Sequence, residues 1–251
     1  IYTHQSIARH LLRYRYQQLN DARKIALGKD YKGAMFPWES ARDGQETTPA
    51  WHKDLDGTIK HIETGNLEHH ITADVAYGLW NYHIVTGDID FMLECGLEMM
   101  LETARFWASR MEYNPKKKIY EINNVIGPDE FHENVNNNAF TNAMAKWNLQ
   151  AAAWLYKNLR RNFPVEVMAV KRKISLKLEE FARWNKISQS IANTAPVCRG
   201  LIEQFQGFLR KRNLPIRESD KSGISAFPKG MRAADMNGTQ FIKQAKGEFR
   251  P

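Results

Sequence analysis

Apolar side chains return at helical spacing in several stretches of this chain, and long stretches with no period separate them. That alternation constrains the fold more than any other feature. In the first stretch Ile7, Leu11, Leu12 and Tyr16 recur, with Arg9, Arg13 and Arg15 between them, and the pattern fades near Gly28. Residues 70–85 carry Val75, Leu79 and Tyr82 on one stripe, and Gly87 is placed to close that helix in a left-handed conformation. Asp88 is placed to cap a third helix running to about Arg110, with Phe91, Cys95, Met99 and Phe106 on or near one face. Residues 111–122 alternate weakly around Asn114-Pro115 and predict a hairpin. Residues 139–159 and 165–192 predict two further helices, and a last short one is expected from Thr239. No repeat of 20–50 residues is visible. The fold class is therefore all-α, with a ligand site expected among the connections.

Two connections are unusual. Residues 30–67 lack either regular period, yet carry Phe36, Trp38 and Trp51, and disordered segments are poor in aromatics. They predict an ordered, site-forming loop. Residues 127–138 hold Asp129, Glu130, Glu133, His132 and four asparagines immediately ahead of a helix. A helix N-terminus and amide side chains suit a hydroxyl-rich or anionic ligand. The aromatic neighbour Phe131 suits a carboxyl kept partly from water. The same residues read equally well as a helix cap with a solvated acidic loop.

The net charge is +8, from 36 Lys and Arg against 28 Asp and Glu. It is unevenly placed: residues 151–251 hold 20 basic and 8 acidic side chains. Runs such as Lys171-Arg172-Lys173 and Arg210-Lys211-Arg212 lie in no recognition motif and read as solvated faces, so no nucleic-acid partner is expected. No window of 18 unbroken apolar residues occurs, and no membrane partner is expected. Cys95 and Cys198 are too few for a disulfide framework or zinc site. With no secretory signal visible either, the expected compartment is the cytoplasm.

Further segments could carry chemistry. Phe36-Pro37-Trp38-Glu39-Ser40 sets an indole beside a carboxylate, which suits a sugar's apolar face and its hydroxyls, or is a structural Trp in a loop. In Glu68-His69-His70-Ile71-Thr72-Ala73-Asp74, His70 and Asp74 share a helix face, but ligands for a metal are lacking and none is expected. Gln240-Phe241-Ile242-Lys243-Gln244-Ala245 reads alone as a solvated helix.

Taken in order, LLRYRYQQLNDAR, YKGAMFPWES, HHITADVAYGLW, ETARFWASR, VIGPDEFHENVNNNAFTNAMAKWNL, GLIEQFQGF and GTQFIKQA resemble the catalytic domain of glycoside hydrolase family 65. The resemblance runs from about Ala8 to Ala245. It implies part of an (α/α)6 barrel with its site among the inter-helix loops. It makes Glu130 the general acid, Trp38 and Glu39 sugar contacts on the leaving-group side with Thr72 as a companion, and Lys243 and Gln244 contacts to the bound sugar. The reaction implied is an inverting cleavage of an α-glucosidic bond. In the family's phosphorylases inorganic phosphate is the co-substrate and nucleophile, no cofactor is needed, and β-glucose 1-phosphate results. In its hydrolases a second carboxylate activates water.

The resemblance also has gaps. The family's Trp-Asp segment ahead of LLRYRY is missing, Lys246 stands where the family has Asp, and residues 246–251 read as an atypical tail. About six of the twelve barrel helices are accounted for. The expectation is thus a single partial catalytic domain over residues 1–251, truncated at both ends, with apolar helix faces left uncovered. The family's β-sandwich, absent here, implies a homodimer for a full-length form. The leading reading is a disaccharide phosphorylase acting on a small sugar with phosphate. A hydrolase is the alternative, and an inactive fragment that binds a partner is the other.

Overall fold

The His69-His70 turn and a Gly-Pro loop meet at the starts of two helices, and the helices explain why. The computed structural model describes residues 3–53, 57–192, 196–197, 201–214, 230–231 and 233–243. Its helices are α1 (Gln5–Gln17), α2 (Leu19–Gly28), α3 (Thr64–Leu67), α4 (Ile71–Thr86), α5 (Ile89–Phe91), α6 (Leu97–Arg110), α7 (Ala139–Asn162), α8 (Pro164–Lys173) and α9 (Leu178–Ser190). A π-helical turn, Met92–Gly96, joins α5 to α6.

The expected helix ends are present. Gly87 closes α4 at φ 64°, and the Asp88 carboxylate accepts from Phe91 N at the start of α5. The hairpin is β3 (Glu112–Asn114) against β4 (Ile119–Glu121), turned by Asn114 Oδ1 accepting from Lys116 N and Lys117 N.

Four expectations need correction. The first helical stretch is two helices broken at Gln18, whose side chain bonds Ala41 O, Arg42 O and Ser40 Oγ. The stretch 165–192 is also two helices: Ser175 turns left-handed at φ 50°, while Arg105 Nη1 donates to Ile174 O at 3.1 Å. The loop 30–67 contains the hairpin β1 (Trp51–Lys53) with β2 (Ile59–His61), then α3. Finally, no helix starts at Thr239; a 3₁₀ turn, Ala233–Gly238, ends there. The short strands β5 (Pro196–Val197) and β6 (Leu201–Ile202) pair antiparallel. Gln244 and the tail 246–251 lie outside the described residues.

The core forms around α6, which packs along α7, while α7 packs on α8 and α9, and α4 bridges α1, α6 and α7. Phe91, Phe106, Trp107 and Trp184 are fully buried there. So are two carboxylates, Glu98 and Glu102. Charges in a core need partners. Arg23 bonds both, Tyr16 and Lys173 bond Glu98, and Arg105 bonds Glu102 and clasps Glu180 with two nitrogens. Burial would raise the Glu98 carboxyl, but the Arg23, Lys173 and Tyr16 hydrogen bonds outweigh it and hold it below the usual range. The outward faces of α4 and α7 carry Tyr77, Ile84 and Trp154, each about half exposed.

This bundle fixes the loop before β1. Gly33 sits at φ 78° so close to α6 that a Cβ would lie 2.2 Å from Glu102 O, so only glycine passes there. Ala34 N then bonds Glu102 O, Met35 N bonds Ala22 O, and Phe36 N bonds Thr72 Oγ1. Phe36-Pro37-Trp38 is thereby pinned over the start of α4.

Candidate active site

Residues 127–138 are bolted from within. Val125 and Val135 bridge antiparallel, closing the loop, and Ile126 N reaches Leu67 O at the end of α3. Asn138 caps α7 through Thr141 N, and a Cβ on Gly127 would lie 2.1 Å from the Asn138 side chain. Asn137 Oδ1 takes Ile122 N, Asn136 Oδ1 takes Asn124 N, and Asn142 Nδ2 donates to Ala192 O. Three of the four asparagines suited on paper to sugar hydroxyls, Asn136, Asn137 and Asn138, thus bond backbone groups, with Asn137 and Asn138 buried.

Within that frame Asp129 and Glu130 diverge. Asp129 is sealed in: its Oδ2 faces His132 Nδ1 at 2.7 Å and Gln204 Nε2 at 2.9 Å, and its Oδ1 accepts from Lys243 N at 2.9 Å. Burial opposes its charge, yet these three hydrogen bonds hold the carboxyl below its ordinary range. The Glu130 side chain keeps about a quarter of its surface in solvent, 23%, and its Oε2 forms an ion pair with Lys243 Nζ. Two residues from segments more than a hundred positions apart thus meet, although only Lys243 of the expected Lys-Gln pair lies among the described residues.

Glu68 completes the cluster. It lies within electrostatic reach of both Glu130 and Lys243, and its side chain is fully buried. Burial raises its carboxyl above the usual range. Oε2 faces His70 Nε2 at 3.2 Å, while Oε1 is buried without a hydrogen-bond partner. His70 Nδ1 meets Asp74 Oδ2 at 2.8 Å, the helix-face pair expected at i, i+4. Neighbouring histidines are driven opposite ways. Burial and then Arg110 push His69 down to about 3, while His70, although burial opposes it, is lifted to about 9 by the Asp74 and Glu68 hydrogen bonds.

Trp38 stands edge-on to the His70 ring, centroids 6.1 Å apart, so the indole joins the cluster through that imidazole. Glu39 is exposed. Its backbone is clamped by Glu46, whose carboxylate takes Trp38 N at 2.6 Å, Glu39 N at 3.1 Å and Thr48 N at 3.0 Å. Thr72 is fully buried with its hydroxyl occupied by Phe36 N, so it supports the loop from beneath. No local pattern marks Glu46, and in its segment Glu68 carries no signal beyond that of the two histidines beside it. Among the described residues, no group of three His, Cys, Asp or Glu side chains is arranged to hold a metal ion, and no helix is long and apolar enough to cross a membrane.

A loop-borne carboxyl, a lysine and an indole are thus gathered on one helical scaffold. Residues 1–247 match the model for the glycosyl hydrolase family 65 central catalytic domain, and the chain belongs to that family. It is 49% identical over 245 residues to a kojibiose phosphorylase of Caldanaerobacter subterraneus subsp. tengcongensis, covering 98% of this chain and 32% of that one. A kojibiose hydrolase of Flavobacterium johnsoniae is 48% identical over 150 residues, 60% of this chain and 20% of its own. A solved kojibiose-phosphorylase-type structure from the human microbiome superposes with a TM-score of 0.79 at 26% identity, covering 96% of this chain and 33% of that one. The chain spans about a third of the length of these phosphorylase relatives.

Proposed function

We propose that this segment supplies the general acid and part of the sugar site of an inverting disaccharide phosphorylase, which cleaves an α-glucosidic bond with inorganic phosphate. The observation that carries the reading is the meeting of Glu130 with Lys243. One carboxyl is reachable from solvent on a rigid loop, and a cation from a distant segment is set against it. In this reading a phosphate oxygen bonds to the anomeric carbon from one face as the glycosidic C–O bond breaks on the other. The bonding pair leaves with the departing oxygen, which takes the proton that Glu130 carries once the bound glucosyl unit draws Lys243 out of the ion pair. The phosphate ester then sheds its own proton, which restores the acid. Disaccharide plus hydrogen phosphate thus gives β-glucose 1-phosphate plus the free sugar.

Trp38 and Glu39 serve as contacts to the departing sugar, Thr72 holds their loop, and Lys243 with Gln244 binds the glucosyl unit. Support for phosphate over water comes from the phosphorylase relative, which matches nearly the whole chain, whereas the hydrolase relative matches 60% of it. The cytoplasm is the compartment proposed, on the low cysteine content. The test is release of glucose and β-glucose 1-phosphate from kojibiose and other glucobioses by the full chain, with and without phosphate. Release that requires phosphate and is lost in Glu130→Gln is the expected result. Equal release without phosphate would establish the hydrolase instead, and no turnover on any glucobiose would leave a binding fragment.

A further inference from the structure

Asp129 receives donors from three separate pieces of chain: its own loop through His132, the 201–206 segment through Gln204, and the 233–243 segment through Lys243 N. His132 extends the tie, for its Nε2 lies 2.8 Å from Thr239 O and its ring packs against Phe205 and Phe208. The 239–243 stretch is therefore held at two points four residues apart, Thr239 and Lys243. Gln240 adds bonds to Leu209 O and Lys211 O on its other side. Two fixed points set the direction of a short segment, and with it the direction in which the Lys243 side chain leaves.

We infer that Asp129 is a positioning residue that sets Lys243 against Glu130, so that the carboxyl meets the departing oxygen in register. This deepens the phosphorylase reading and rests on it. The physical warrant is the clamp itself. A fully buried carboxylate with three donors is a rigid anchor, and it adjoins the acid in the chain. A misplacement of about 1 Å at a reacting group costs roughly 100-fold in rate.

The test compares two leaving groups in the full chain: the second sugar of a disaccharide, which must be protonated to depart, and the fluoride of α-glucosyl fluoride, which need not be. Asp129→Asn keeps the shape but puts an amide N–H₂ or a single carbonyl where Oδ2 accepts two donors. Its kcat on the disaccharide with phosphate is expected to fall about 10- to 100-fold. With the fluoride the fall in kcat is expected to stay within about threefold, because proton donation from Glu130 is not needed there, while any loosening of the Lys243 contact to the shared glucosyl unit raises KM on both substrates alike. Equal losses on both would reduce Asp129 to a structural role and overturn the inference.

Should Asp129→Asn not fold, Gln204→Leu removes one donor at similar volume. The same asymmetry, smaller in size, is expected there, and its absence overturns the inference equally. Glu130→Gln is the reference. If it shows the leaving-group asymmetry and neither positioning variant does, the inference alone fails. If Glu130→Gln loses nothing, the phosphorylase reading fails and the inference falls with it.

Discussion

Two clusters of charge in this molecule have similar ingredients and opposite finish. Beneath α6, Glu98 and Glu102 are buried, and Arg23, Arg105, Lys173 and Tyr16 satisfy them so fully that no carboxylate oxygen there lacks a donor. At the loop end, Glu68 is just as buried but leaves Oε1 unpartnered, and the Glu130–Lys243 pair stands partly open to solvent. A scaffold must close its hydrogen bonds, because an orphaned buried group costs about 1–3 kcal/mol. A site must leave some open for its ligand. The difference marks the first cluster as scaffold, and it is what the proposed sugar site requires of the second.

The contrast breaks first at Glu130. Glu130→Gln is expected to lower kcat on a disaccharide by about 10²–10⁴-fold. The partly exposed position predicts a thermal midpoint close to that of the parent, to be read by calorimetry on the same preparation. A variant that lost stability rather than rate would put Glu130 with the scaffold.

Glu98→Gln should do the reverse. It leaves the exposed Lys173, and Arg23 that still pairs with Glu102, facing a neutral group, and weakening such charge-assisted hydrogen bonds costs about 1.5–3 kcal/mol. Chemical denaturation is expected to show that loss at pH 7, with the ratio of disaccharide to fluoride rates unchanged in whatever fraction stays folded. A change in that ratio would mean that the seam reaches the site.

The two histidines sharpen the comparison on a pH axis. His70, lifted to about 9, favours the folded state fully below its unfolded pKa near 6.5, and that contribution is lost as pH rises towards 9. At 1.36 kcal/mol per unit the whole effect is about 3 kcal/mol. His69, pushed down to about 3, works at the other end, and its stability is lost as pH falls below 6.5 towards 3. Urea midpoints across pH 4–9 should therefore show an alkaline decline that Asp74→Asn flattens and an acid decline that His69→Gln flattens. An Asp74→Asn curve parallel to the parent between pH 6.5 and 9 would refute the assignment to His70.

Legibility followed local chemistry. Gly87, Asp88 and Asn114 announce helix ends and a turn by their own backbone preferences, and each sits where such a residue belongs. The breaks at Gln18 and Ser175 carry no Gly or Pro. They are made by distant partners, the Ser40–Arg42 loop and Arg105, so nothing local could show them. The asparagine run was legible as a loop ahead of a helix but not as its internal fastening, because an amide that binds backbone and one that binds sugar look alike in a string of letters. Lys243 reads locally as a solvated helical residue. Only its place in a matched series of motifs led to Glu130, and the joint between them, through Asp129 and Thr239, exists only in three dimensions.

The smallest effect tests how the site borrows rigidity from the scaffold. Thr72 belongs to α4 and to the core, yet its one hydroxyl contact holds Phe36 N at 3.0 Å and with it the Trp38 loop. Thr72→Val keeps the volume and removes the acceptor, leaving a buried N–H unpaired at a cost of about 1–2 kcal/mol. The loop also hangs on Glu46, Ala22 O and Glu102 O, so the bundle should tolerate the change while the indole loses its setting. The expected result is a KM for the disaccharide raised several-fold with kcat nearly unchanged, and a return to parent values in Thr72→Ser, which restores the hydroxyl. A KM unchanged in Thr72→Val would mean that Glu46 alone holds the loop, and that the site's hold on its sugar does not pass through the helix beneath it.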